Sequence, residues 1–247
     1  MLQSIRQAGL VWPALFTVAG FAILVGLGNW QLQRSIWKAG LTDRIEARVE
    51  AMPVPLREVA AAFASGGDVA YRRVSVSGRF LHGKERHYYF VGSYGPGWNV
   101  YTPLQLDDGG IVFVNRGFVP EQLRQPASRA AGQLAGQVTL TGLVRLAPEN
   151  GAKGWFVPDN QPEDNAWFHL DLAGMRGSVF DASDASRVLG FFVDAEAEPA
   201  NPGGWPKGGT TRLQLPNRHL EYAFTWFGLA GTLVCVFLAF AWSRLSR

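Results

Sequence analysis

Two stretches of the sequence run without charge for longer than a bilayer is thick. No Asp, Glu, Lys or Arg interrupts the chain between Arg6 and Arg34, or between Glu221 and Arg244. Roughly 20 apolar residues in a helix cross the ~30 Å of hydrocarbon, so the pattern predicts transmembrane helices over 7–33 and 222–243. Trp12 and Trp30 bracket the first, and Tyr222, Trp226 and Trp242 the second, as interfacial aromatics do. Pro13 falls in a first turn, where a missing N–H costs little. The alternative for the first stretch is a cleaved signal peptide. Its length, the lack of an A-x-A-like site after it and the second span argue for an uncleaved anchor.

Residues 34–221 are expected to form one extramembrane domain. Trp30, Arg34, Trp37, Leu41, Ile45 and Val49 recur every three or four positions, which carries the first helix out of the bilayer and onto that domain. Pro53 and Pro55 end it, and a short helix follows around Leu56–Ala64. Alternation then predicts strands at Tyr71–Phe80, Arg86–Ser93, Val100–Leu106, Ile111–Val119 and Val138–Val144. Gly95-Pro96-Gly97 and Asp107-Asp108-Gly109-Gly110 read as turns between them. Ala147–Asn165 reads as loop, Leu170–Met175 as a helical turn, and Gly190–Ala195 and Thr211–Leu215 as late strands. The fold class is therefore an α+β membrane protein: two transmembrane helices flanking a β-rich antiparallel barrel- or sandwich-like domain with short helices.

Composition sharpens this picture. Of 247 residues, 47% are apolar and 17% charged, where a soluble domain carries about 25% charged. The mean hydropathy of +0.01 averages greasy ends with an ordinary middle. A balance of 23 Lys+Arg against 20 Asp+Glu offers no basic face for nucleic acid. One cysteine, Cys235, excludes an internal disulfide framework, a cysteine-based zinc site and a C-x-x-C redox or haem-attachment motif. No nucleophile elbow, H-E-x-x-H, Walker loop or dinucleotide fingerprint occurs, so a membrane-anchored hydrolase has no support and the chain reads as a non-enzyme. Both tails share one side of the membrane. The basic residues Arg6, Arg34, Lys38, Arg212, Arg218, Arg244 and Arg247 leave the side open, because a long loop escapes the positive-inside rule.

Among four histidines, His82 and His87 flank a turn as solvated residues, and His169 reads as structural. His219 differs by its place. Asn217 suits an N-cap before the second span, which puts His219 in the first turn. The positive helix end there favours neutral imidazole, the form that ligates haem iron. Tyr222 and Trp226 share its face, and seven residues span about 10.5 Å, roughly a porphyrin's width. The bland reading is a polar interfacial histidine beside belt aromatics. Arg34, Lys38, Arg212 and Arg218 suit lipid phosphates, or carboxylates such as haem propionates. Ala22 with Gly26, and Gly228 with Thr232, form small-residue faces that would let the two spans pack closely. Trp30 and Arg34 would then leave the first span near where Arg218 and His219 begin the second.

Five blocks in order give the chain a family likeness: Gly28-Asn29-Trp30-Gln31-Leu32-Gln33-Arg34 with Trp37-Lys38; Tyr71-Arg72-Arg73-Val74 leading to Gly78-Arg79-Phe80; Tyr101-Thr102-Pro103-Leu104; Val114-Asn115-Arg116-Gly117-Phe118-Val119-Pro120; and Pro216-Asn217-Arg218-His219-Leu220-Glu221-Tyr222-Ala223-Phe224-Thr225-Trp226-Phe227. The chain resembles the Surfeit-locus-one (Shy-type) family of cytochrome c oxidase assembly factors. It departs at Phe118, where the family shows Trp, and matches loosely over 147–210. The resemblance implies a multi-pass protein of the bacterial inner membrane, or of the mitochondrial inner membrane in a eukaryote. The central domain would be periplasmic or in the intermembrane space, with both termini on the opposite side. It also implies transient binding of haem a, with His219 as candidate axial ligand to the iron and Trp226 in the haem site. Tyr222, Trp30, Arg34 and Arg218 complete the expected haem-binding set. The expected partners are the large haem-bearing oxidase subunit, haem a synthase as donor and membrane lipid. A scaffold that stabilises an oxidase assembly intermediate without touching haem is the alternative.

Overall fold

The computed structural model describes residues 9–148, 153–211 and 216–246. In chain order the elements are α1 (Val11–Glu50), β1 (Val54–Pro55), α2 (Leu56–Ala64), β2 (Arg73–Phe80), β3 (Arg86–Gly92), β4 (Gly95–Leu106), β5 (Ile111–Val119), β6 (Gln137–Arg145), β7 (Ala166–Trp167), α3 (Leu172–Gly177), α4 (Ala182–Ala185), β8 (Val188–Ala195) and α5 (His219–Leu245). They fall into two compact units, Met1–Ile45 with Leu213–Arg247, and Glu46–Arg212.

The first unit is helical. α1 is one uninterrupted helix of 40 residues, about 60 Å at 1.5 Å per residue, and α5 has 27. Both are long and apolar enough to cross a membrane. Their large apolar side chains point outward: Phe16, Val18, Phe224 and Val236 are all exposed. Apolar surface on that scale is unfavourable in water. Along the predicted stripe, Trp30 and Trp37 remain exposed while Ile45 is buried.

The second unit is a closed barrel. Around its ring β2 pairs with β6, β6 with β8, β8 with β5, β5 with β4, and β4 returns to β2. All these pairings are antiparallel except β5 with β8. Closure depends on β4, whose first half pairs with β3 and whose last residues, Leu104–Leu106, pair with β2. Inward positions of the ring, including Val74, Val76, Leu104, Val112, Val114, Val144, Phe191 and Val193, fill the core, and α2 adds Leu56 and Val59. The outer faces of β4, β5 and β8 carry Tyr101, Phe113 and Phe192, and the segment with α3 and α4 covers them through Leu172, Met175 and Phe180. Every residue of β5 is therefore buried.

The Asn115-Arg116-Gly117 block at the end of β5 is structural. Asn115 accepts from the Gly117 N–H at 3.0 Å and donates to Asp194 at 3.1 Å. Arg116 donates to Asn201 at 2.9 Å and to the Gly132 carbonyl, and lies over the Phe80 ring. Gly117 has φ +118°, and a Cβ there would stand 1.9 Å from the Lys207 carbonyl oxygen. Glycine is what allows Phe118 and Lys207 to exchange backbone hydrogen bonds.

Several expectations are corrected. Gly95-Pro96-Gly97 is not a turn but the start of β4: the hairpin turns at Ser93-Tyr94, closed by Gly92 opposite Gly95. The two-residue strands β1 and β7 went unforeseen, being too short to alternate. Of the late strand expected at Thr211–Leu215, Thr211 lies outside any strand and residues 212–215 fall outside the described residues. His82 and His87 are not solvated. His87 is 4% exposed; its Nε2–H donates to Glu85 at 2.9 Å, while Arg124 donates to its Nδ1 at 3.3 Å. Arg129 also donates to Glu85. His82 is half-buried and donates Nε2–H to the Leu134 carbonyl at 2.9 Å.

Burial raises the Glu85 carboxyl, but His87 and Arg129 outweigh it and hold the group below its ordinary 4.5. Burial pushes His82 below its ordinary 6.5. Once the pH drops below that value, the unfolded chain takes up a proton at His82 that the folded chain refuses, so stability falls. Glu85 adds a second loss below 4.5, where the unfolded carboxyl protonates first. The thermal midpoint of the full chain in detergent should therefore fall from pH 7 toward pH 5. His82→Gln should flatten that limb and leave the loss below 4.5. An unchanged upper limb in the variant would locate the acid sensitivity elsewhere.

Candidate functional site

The helical unit brings α1 and α5 together antiparallel. A Cβ at Gly28 would meet the Phe227 ring at 2.6 Å, and one at Gly20 would meet Leu233 Cδ2 at 3.1 Å. The small-residue faces read from the sequence are not the contact, since a Cβ at Gly26 or Gly228 would meet nothing within 4 Å. Bulky Phe227 and Leu233 fill the hollows left by glycines on α1, so the pairing is large against small. Ala223 and Ala230 are buried on the same α5 face.

Polar contacts join the helices where α5 begins. Asn217 does not cap α5 with its side chain: the N-cap is Arg218, without a side-chain cap bond, and Asn217 donates to the Ser35 carbonyl at 3.0 Å. Lys38 donates to the Pro216 carbonyl. His219 is the first residue of α5, and its Nδ1 lies 2.7 Å from Gln31 Oε1. A side-chain carbonyl oxygen only accepts, so Nδ1 is the donor, and in the neutral ring that leaves the lone pair on Nε2. Among the described residues Nε2 has no hydrogen-bond partner.

Gln31, Pro216, Arg218, His219, Tyr222 and Trp226 line one open groove of about 410 Å³. Four of the expected site residues, His219, Tyr222, Trp226 and Arg218, thus meet there. Arg218 is exposed at the groove and donates Nε–H to Glu221 at 3.0 Å. The other two stand apart. Trp30 is 56% exposed, and the Arg34 guanidinium sits 4.0 Å over the ring of Trp37 on its own helix; neither lines the groove. Arg212 lies outside the described residues. Gln31 and Pro216 were missed by reading α5 alone. Gln31 shares the α1 face of Gly28, Ser35 and Lys38 at spacings of three and four, which was the available signal.

What the groove can do follows from its parts. It presents an imidazole nitrogen without a hydrogen-bond partner among the described residues, two aromatic side chains, and a guanidinium that pairs with Glu221. That set suits a flat, largely apolar ligand with a metal centre and an acidic edge. His169, as expected, is structural, lying 3.2 Å from the Asn160 side-chain amide.

The helix register has a direct test in the full chain with Cys235→Ser. Gly20→Cys with Leu233→Cys should form a disulfide under mild oxidation, and Gly26→Cys with Gly228→Cys should not. Adding Gly28→Ile should abolish most of the first cross-link. The opposite pattern would restore the small-residue faces.

Comparison with known proteins agrees with the resemblance carried by the sequence blocks. The profile of the SURF1 family matches residues 18–231. A SURF1-like protein of Monosiga brevicollis is 37% identical over 245 residues, covering 94% of this chain and 88% of that one. Surfeit locus protein 1 of Mus musculus is 37% identical over 240 residues, covering 90% and 71%. The Homo sapiens protein of the same name is 38% identical over 225 residues, covering 83% and 69%. With a profile match across both helices and the barrel, and relatives at this identity, the chain belongs to the SURF1 family.

Proposed function

We propose that this chain is a cytochrome c oxidase assembly factor that holds haem a at the α5 groove and presents it to the large haem-bearing oxidase subunit. It performs no covalent chemistry of its own. The observation that carries the reading is His219, whose Nδ1 is committed to Gln31 while Nε2, without a hydrogen-bond partner among the described residues, sits beside Tyr222 and Trp226. His219 Nε2 would hold the iron, Tyr222 and Trp226 would offer an apolar wall, and Arg218 would meet a propionate. One histidine without a second evident ligand gives a bond weak enough to release cargo, as a carrier requires. Haem a synthase is the expected donor.

In this reading α1 and α5 both span the membrane, their exposed apolar side chains facing lipid. The barrel then lies in the periplasm, or in the intermembrane space of a mitochondrion. Alkaline phosphatase inserted within Asp107–Gly110, the turn between β4 and β5, should be active in a bacterial host. Activity confined to a cytoplasmic reporter at that position would reverse the topology.

Purified from cells that make haem a, the wild-type chain should show a haem absorption spectrum. His219→Ala should lower haem content about 10-fold or more while the Gly20/Leu233 cross-link still forms. Undiminished haem in His219→Ala would remove the groove from haem binding and favour a scaffold that never touches haem.

A further inference from the structure

Gln31 does more in this geometry than join two helices. It is one turn from Gly28, where Phe227 seats, one turn from Ser35, which holds Asn217, and two turns from Lys38, which holds Pro216. Contacts on both sides therefore fix its backbone and aim its side chain at His219. A histidine ligand almost always gives its second N–H to an acceptor, and that acceptor sets the tautomer, the ring direction and the basicity of the ligating nitrogen. Carboxylates in that place draw the proton strongly and make the imidazole a better donor to metal. A neutral amide orients the ring equally well but withdraws less.

On the basis of the proposed haem site, we infer that Gln31 is the positioning residue for His219. Its side-chain carbonyl fixes the Nδ1–H tautomer, and its neutrality keeps Nε2 a ligand that lets go. The amide is the feature that suits a carrier. A permanent redox centre would be better served by an acid at this position.

The inference separates isosteric variants. Gln31→Glu keeps the shape and the acceptor but adds charge; Gln31→Leu removes the acceptor. Each is prepared as the full chain loaded with haem, and the haem off-rate is read by transfer to excess apomyoglobin, with the reduction potential measured alongside. Gln31→Glu should slow haem loss about 10-fold and move the potential negative, whereas Gln31→Leu should speed loss about 10- to 100-fold, the usual range for an outer-shell partner. If both variants weaken retention alike, Gln31 is only a helix contact and the inference is overturned. It is equally overturned if both match wild type while His219→Ala loses its haem, an outcome that leaves the proposed function standing. Full retention in His219→Ala would overturn the haem site itself, and Gln31 with it.

Discussion

Apolar side chains facing outward from α1 and α5 constrain everything else in the helical unit. Where the surroundings are as apolar as the helices, the hydrophobic effect cannot press them together, and association depends on close packing and on scarce polar contacts. The structure supplies both, at different heights. Gly28 and Gly20 open hollows for Phe227 and Leu233 along the apolar length. The polar contacts gather at one end, where Gln31, Ser35 and Lys38 meet His219, Asn217 and Pro216. Along the apolar length of the pair, lipid around the helices would penalise an uncompensated polar group, so a polar site on that length belongs at this end.

The barrel solves a different problem. Short strands expose edges, and a ring closed through β4 and β2 removes most of them. Val, Leu and Phe fill the inside, and α3 and α4 cover the β5 outer face. Some of the buried polar groups at its margin pair with one another: Glu85 with His87 and Arg129, and Asn115 with Asp194. Two of the blocks that make the family recognisable thus have structural explanations. Asn115-Arg116-Gly117 secures the end of β5, and Arg73 forms a two-bond ion pair with Glu196 at 2.6 and 2.8 Å.

Periodicity made much of this legible. Both long helices, α2 to the residue and most barrel strands follow from where apolar positions repeat, since burial on one face writes itself into local spacing. Several misses depend on partners distant in sequence. Nothing local reveals that Asn217 reaches across to Ser35 instead of capping α5, or that Arg124 closes over His87. The small residues Gly26 and Gly228 drew attention as a matching pair. The chain instead sets small against large, a complementarity visible only once the register of two helices 188 positions apart is known at Gln31 and His219.

The same distinction separates the four histidines, which the sequence could rank only by address. His87 spends both ring nitrogens on protein groups. His82 and His169 each use Nε2 and leave Nδ1 without a partner, but that atom is buried in each. His219 alone combines a committed Nδ1 with an Nε2 free of partners among the described residues, on a groove that opens outward. A ligand to a metal that must arrive and leave needs an oriented ring, an available lone pair and an open approach. Orientation comes from α1, the lone pair from the tautomer that Gln31 enforces, and the approach from the start of α5. Orientation and tautomer need both helices, so the role proposed for His219 rests on the helix pair and not on α5 alone.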